Sequence, residues 1–452
     1  MISSPLATGS SRNGIQYLVY ALFAAELTLF TWQRNYFGPY VSPALLYALG
    51  VGLTLSVLAL ARGRQLVLAP ATVQAGGQTM WLRLLALLTS AIAGGWYNTN
   101  LVKVQIRAFR PVLEYADIIP ALQAYTRRWL TGAEVYAPMT WELGYFELPA
   151  YLPATWFPFI LAEWLGFDYR FVAWGIFLLG VLLYEFLVWR LRQPWPQTLL
   201  LAGLPFVVFY ALVTTQWGYV GITIEYMMLG YYSLLVVGIL LRFWPLQALA
   251  LLLCVLSRYS LVIWAPLYLG LMFFYDSKKN ALLIAGTVLI GIIAFYIVPY
   301  LSHNWGLFME VQRSYTDAAV YEWKHLGADG LPIHPFNGLG FASFFYQYAP
   351  GSLYEKIGLL KTLHVGLLLT VVAGAAVAYV RQWTRRIDYR VYVVTILKLY
   401  LATFYAFLQV PYAYLATLGL FMSVFLVLMT VGLRPTVEAE NESEHEPGAV
   451  GA

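Results

Sequence analysis

The feature that most restricts this chain is the recurrence of apolar runs long enough to cross a bilayer. They lie near 14–32, 43–61, 80–98, 171–189, 198–215, 221–241, 246–257, 259–275, 280–301, 359–380, 391–409 and 411–432. A hydrocarbon core about 30 Å thick takes roughly 20 apolar residues of helix. Within it every backbone polar group must be satisfied inside the segment, so helix is the expected form. Only 11% of the 452 residues are charged and 61% are hydrophobic, whereas soluble chains are about a quarter charged. No water-soluble core would hide so much apolar surface. The expected fold is an all-α polytopic membrane protein of about 12 transmembrane helices, occupying residues 1–433. The runs 246–257 and 259–275 are short, and read as a broken pair that reaches part-way through the bilayer.

The basic residues orient these runs. Arg12, Arg62, Arg64, Arg190, Arg192, Arg242, Lys278, Lys279, Arg381, Arg385, Arg386, Arg390 and Arg434 fall on one side, and of the short loops opposite only one carries a cation, Arg34. The positive-inside rule makes that side the cytoplasm, with both termini on it. The expected location is the inner (cytoplasmic) membrane, multi-pass. Two long loops, 99–170 and 302–358, are then extracytoplasmic. The net charge of +5 reflects largely these turn arginines and does not point to nucleic acid. Residues 1–13 are Ser-rich with no cleavable signal, so the first run reads as a signal anchor. Residues 434–452, with Glu438, Glu440, Glu442, Glu444 and Glu446, read as a solvated cytoplasmic tail. The single cysteine, Cys254, excludes an internal disulfide and suits packing. The 16 Trp and 35 Tyr suit interfacial belts and stacking on sugars. Residues 152–166 are short for a span and read as an interfacial helix with Trp156 and Trp164 at headgroup depth.

The first long loop carries Glu114, Asp117, a helix-like pattern with Arg127 and Arg128, then Gly132, Tyr136 and the segment Tyr151-Leu152-Pro153. Gly166-Phe167-Asp168-Tyr169-Arg170 leads into the next run. This order resembles the GT-C glycosyltransferases, polytopic enzymes that take sugars from polyprenyl-phosphate donors. It is most similar to a bacterial, mannosyltransferase-like branch with an acidic residue, a Gly and Tyr, and then Tyr-x-Pro-Pro. The likeness covers about 80–195. It departs where Ala154 stands for the second Pro and Ala121 for a Tyr four residues after the acid.

The resemblance implies inverting transfer outside the cytoplasm, onto a glycan, lipid or protein acceptor, with Asp117 as the base. That chemistry needs a carboxylate for the acceptor hydroxyl and positive charge for the leaving phosphate. Asp117 suits the first role from its place near a membrane boundary; capping the helix 118–130 is its other reading. Glu114, Glu142 and Glu147 are candidate second acids. Arg258, between two short runs, is the candidate for the lipid phosphate. Glu225, early in its run, either meets sugar hydroxyls or holds Arg258. Lys398 faces protein or the phosphate, and Glu26 is structural. Glu147 and Tyr151 complete the candidate binding set. Arg127 and Arg128 are expected to meet phospholipid headgroups.

The second loop holds His303, Arg313, Asp317, Glu322, Lys324, His325, Asp329, His334 and Lys356, which suits sugar binding. The spacing of His325 and His334 makes no metal motif, although an acid-bound divalent cation is kept as an optional cofactor. There is no Walker loop, GxSxG or dinucleotide fingerprint, so a cytoplasmic nucleotide-sugar site is not expected. Two other functions compete. A secondary transporter would use Glu26, Glu225 and Lys398 at mid-membrane, but lacks the paired halves and mid-chain linker it would need. A polysaccharide ligase or polymerase would rest on Arg313 and His325.

Overall fold

The computed structural model describes residues 9–32, 34–69, 77–110, 113, 116–144, 146–216, 218–384 and 386–435. Glu114 and the tail glutamates lie outside them. The helices in order are α1 (Gly9–Trp32), α2 (Arg34–Ala61), α3 (Gly77–Thr89), α4 (Gly95–Ala108), α5 (Ile118–Thr131), α6 (Thr140–Leu143), α7 (Pro153–Trp156), α8 (Ile160–Leu165), α9 (Tyr169–Arg190) and α10 (Trp195–Thr215). They continue as α11 (Glu225–Leu241), α12 (Trp244–Val255), α13 (Trp264–Tyr275), α14 (Lys278–Ile292), α15 (Trp305–Lys324), α16 (Ile333–Asn337), α17 (Ala342–Tyr348), α18 (Leu353–Val380), α19 (Tyr389–Ala406) and α20 (Thr417–Gly432). A π turn at Ser90–Gly94 joins α3 to α4, and another at Ile293–Leu301 extends α14.

All twelve apolar runs are helical, but among the described residues seven helices are both long and apolar enough to cross a membrane. The others are shorter or more polar. α11 shows why a short helix suffices here. It is buried on every side from Glu225 to Leu240 and packs on α9, α12, α19 and α20. Its crossing with α9 is close because two glycines meet: a Cβ on Gly180 would lie 3.1 Å from the Gly230 Cα. Small residues at such crossings let backbones approach where lipid supplies no hydrophobic drive.

The basic turns gather at one end of the bundle. Strands β1 (Arg64–Leu66) and β2 (Leu433–Pro435) pair antiparallel there. The expected tail therefore begins after β2, since Arg434 is held in a ladder. Gly63 N donates to Arg386 O (2.9 Å), and Ala69 N to Arg190 O (2.9 Å). Arg242 pairs with Asp276 at 3.5 Å. At this end Asp388 caps α19, accepting from Arg390 N at 3.0 Å. Its carboxylate takes the Arg390 fork, which also donates to the carbonyls of Leu240 (2.9 Å) and Leu66 (2.5 Å).

The long loops gather at the opposite end, where the same tripeptide recurs. Asp168 caps α9 and takes the fork of Arg170, whose guanidinium donates to the carbonyls of Phe109 (2.6 Å) and Gly221 (2.7 Å). Asp-Tyr-Arg thus begins two helices and ties down the connections around each. The first loop begins about ten residues later than expected, because α4 runs on to Ala108. The apolar stretch 152–166 is three short helical pieces rather than one interfacial helix. Trp164 is exposed as expected, but Trp156 is fully buried.

Candidate functional site

α5 exists because Ile119, Leu122 and Tyr125 repeat at helical spacing and face inward, and Gly132 ends it in a left-handed turn. Arg128 fixes the chain that follows. It donates to Glu142 (2.7 Å) and to the carbonyls of Ala137 (2.5 Å) and Pro138 (2.9 Å). Arg127 pairs with Glu163 at 2.8 Å. Both arginines and Glu142 thus serve the loop itself, not the headgroup or second-acid roles expected.

Behind α5 the loop is organised by rings. Tyr125 stacks on Trp156 with centroids 5.9 Å apart. Trp156 Nε1 donates to the Tyr136 hydroxyl (3.1 Å), which donates to Tyr151 O (2.8 Å). Tyr151 N donates to the Tyr125 hydroxyl at 3.2 Å. Tyr151 is thereby held through its backbone, leaving its ring to face the acids.

Asp117 immediately precedes α5, yet its side chain caps nothing in the helix. The capping role therefore does not account for its carboxylate, which is half-buried and lies in the electrostatic field shared by Glu147, Tyr151, Tyr412 and Tyr414. Burial, and then the neighbouring Asp117 charge, push the Glu147 carboxyl above its ordinary value. Among Glu142 and Glu147, the second acid beside Asp117 is Glu147.

Arg258 sits where the chain breaks between α12 and α13. α7 is pinned onto that break: Ala154 N donates to Leu256 O (2.9 Å) and Thr155 Oγ1 to Ser257 O (2.9 Å). The Tyr231 hydroxyl closes the junction on Ala154 O at 3.0 Å. The first loop and the broken helix pair are therefore one unit. Arg258 Nη2 donates to Glu225 Oε1. Glu225 opens α11, where the positive end of the helix dipole favours a carboxylate. The Glu225 side chain keeps 7% of its surface open and that of Arg258 24%. The guanidinium, with five N–H groups, thus has a flank Glu225 does not cover. Tyr405 faces it, and Tyr414 and Tyr315 lie within its field.

The two charge centres meet at shared tyrosines. Tyr414 lies in the fields of Asp117, Glu225 and Arg258, and Tyr315 in those of Glu147 and Arg258. The sequence reading missed Tyr405, Tyr412, Tyr414 and Tyr315. A signal was present in Pro411-Tyr412-Ala413-Tyr414, a polar aromatic break between apolar runs. The helix ends at Ala406 and resumes only at Thr417, so this segment is a loop rather than a tight turn between spans at 410.

Lys398 does not belong here. Its ammonium is clamped by Glu26 of α1 and by Gly419 O (2.8 Å), and Ser423 donates to the other Glu26 oxygen at 2.6 Å. Both side chains are buried, which corrects the phosphate role for Lys398 and keeps Glu26 structural. Among the described residues no group of three or more His, Cys, Asp or Glu is placed to hold a metal ion. In the second loop His334 Nδ1 meets Glu322 Oε2 instead. Comparison with protein-family models, curated proteins and solved structures finds no match to this chain.

Proposed function

We propose that the protein is a membrane glycosyltransferase that moves a sugar, with inversion, from a polyprenyl-phosphate donor to a glycan, lipid or protein acceptor. The observation that carries this reading is the meeting of an acid pair, Asp117 and Glu147, with a partly open Arg258–Glu225 pair across common tyrosines. In this reading the Asp117 carboxylate takes the proton of the acceptor hydroxyl. That oxygen attacks the anomeric carbon as the carbon–oxygen bond to phosphate breaks. The electron pair leaves with the polyprenyl phosphate, whose charge the open flank of Arg258 receives. Glu225 holds Arg258 in place, and Tyr151 and Tyr414 offer ring faces and hydroxyls to the sugar. The fold would be GT-C-like, with the shorter apolar helices completing about 12 spans. The basic end would lie in the cytoplasm of a cell with an inner membrane, and the site outside it.

The test is transfer by purified protein from polyprenyl-phosphate sugars in defined vesicles. Asp117→Asn is expected to lower kcat by about a hundredfold or more, with KM little changed. An Asp117→Asn enzyme that transfers at the normal rate would remove Asp117 from the chemistry and end this reading.

A further inference from the structure

The second loop reaches the same centre through a cluster the reaction above does not use. Glu322, in the last turn of α15, meets His334 Nδ1 with Oε2. The Tyr412 hydroxyl donates to the same carboxylate. The His334 ring lies 4.6 Å from the Tyr412 ring, and Tyr412 stacks on Tyr414 at 5.2 Å. His334 is held at this spot by its own segment: Ile333 N donates to His325 O at 3.0 Å, and Leu326 bridges Pro332. Beyond Tyr412 lies Asp117. The series runs from a half-buried acid to an imidazole whose side chain is 32% open.

We propose that His334, paired with Glu322 and acting through Tyr412, is a positioning residue that carries the proton from Asp117 to solvent in each turnover. The inference rests on the glycosyl-transfer reading, in which Asp117 ends each cycle protonated. The acid's O–H breaks and Tyr412 takes its proton while giving its own to Glu322 and His334. The imidazole then passes a proton to water, and every group returns to its starting state. Glu147 is a poor exit, because burial and the Asp117 charge already favour its protonated form. The groups facing His334 are Glu322 of α15, His325 just beyond that helix, with ring centroids 6.4 Å apart, and Tyr412 of the segment before α20.

The experiment measures transfer from a polyprenyl-phosphate sugar across about pH 5–9, the range in which imidazole titrates. It compares wild type with His334→Ala, His334→Gln, Glu322→Gln and Asp117→Asn. His334→Ala is expected to lower kcat by about tenfold to a hundredfold and leave KM unchanged. It should also abolish the acid limb of the kcat profile, and added imidazole should restore the rate. His334→Gln, of similar size, should be slow and unrescued. A kcat for His334→Ala within about twofold of wild type, or a loss that imidazole does not restore, overturns the relay. If Asp117→Asn is inactive and His334→Ala normal, the relay alone falls. If Asp117→Asn is active, the glycosyl-transfer reading falls with it.

Discussion

Lys398 and Glu26 show how a charge inside an apolar helix need not mean chemistry. Each is costly to bury alone, and each finds the other across α19 and α1. Removing one partner leaves the other charged and buried, a change that costs about 3–5 kcal/mol. Lys398→Met should therefore lower the thermal midpoint in detergent sharply, and the double change with Glu26→Leu should recover most of it. Glu147 makes the opposite case, an acid held above its ordinary value by burial and by Asp117. Its folded form binds the proton more tightly than the unfolded chain does. Its contribution to stability is thus intact below the ordinary carboxylate range and falls as pH rises through the raised value. Glu147→Gln should flatten that fall, read as a thermal midpoint that declines less from pH 4 to pH 7 than in wild type. A parallel decline in both proteins would contradict this account of Glu147. At this scale the sequence carried Asp117, Arg258 and Glu225 into view, because acids and arginines beside apolar runs are conspicuous. The roles of Lys398, Arg127 and Arg128 were hidden, since their partners lie on other elements.

At the scale of elements, the Asp-Tyr-Arg starts of α9 and α19 do matching work at opposite ends of the bundle. In each, the carboxylate caps the helix and grips an arginine fork that collects carbonyls from neighbouring connections. Lysine cannot form that fork. Arg170→Lys should cost about 3 kcal/mol, as for lost hydrogen bonds to a charged group. Amide exchange should quicken around 105–110 and 216–224, the connections it holds, while α19 stays protected. Equal loosening at both ends would mean that the clamps are not local. Helix existence was legible from the apolar runs, down to the broken pair at Arg258. Helix ends were less so. α4 continues past the apolar pattern to Ala108, and the α19–α20 connection opens into a tyrosine-bearing loop. In both places local hydropathy is a poor guide, because the connection is fixed by contacts distant in sequence, such as Trp323 Nε1 on Gln409 O at 2.7 Å.

For the whole molecule, the basic turns at one end and the long loops at the other are the arrangement that charge counting anticipates. The physical claim that follows is sidedness. With Cys254 replaced, Asp329→Cys should react with an impermeant maleimide added outside intact cells, and Arg386→Cys only after permeabilisation. Both positions are exposed, so access rather than burial decides the outcome. What the sequence could not convey is convergence. Asp117, Arg258, Tyr315 and Tyr414 come from distant parts of the chain, and only the fold assembles them into one charged, tyrosine-lined face. The most direct measurement of that claim is a structure with a polyprenyl phosphate bound. The account predicts the phosphate on the open flank of Arg258, within about 3 Å of its nitrogens, with Asp117 facing the same cavity from the sugar side. A phosphate bound at the basic end, or one at Arg258 with Asp117 turned away from it, would contradict it.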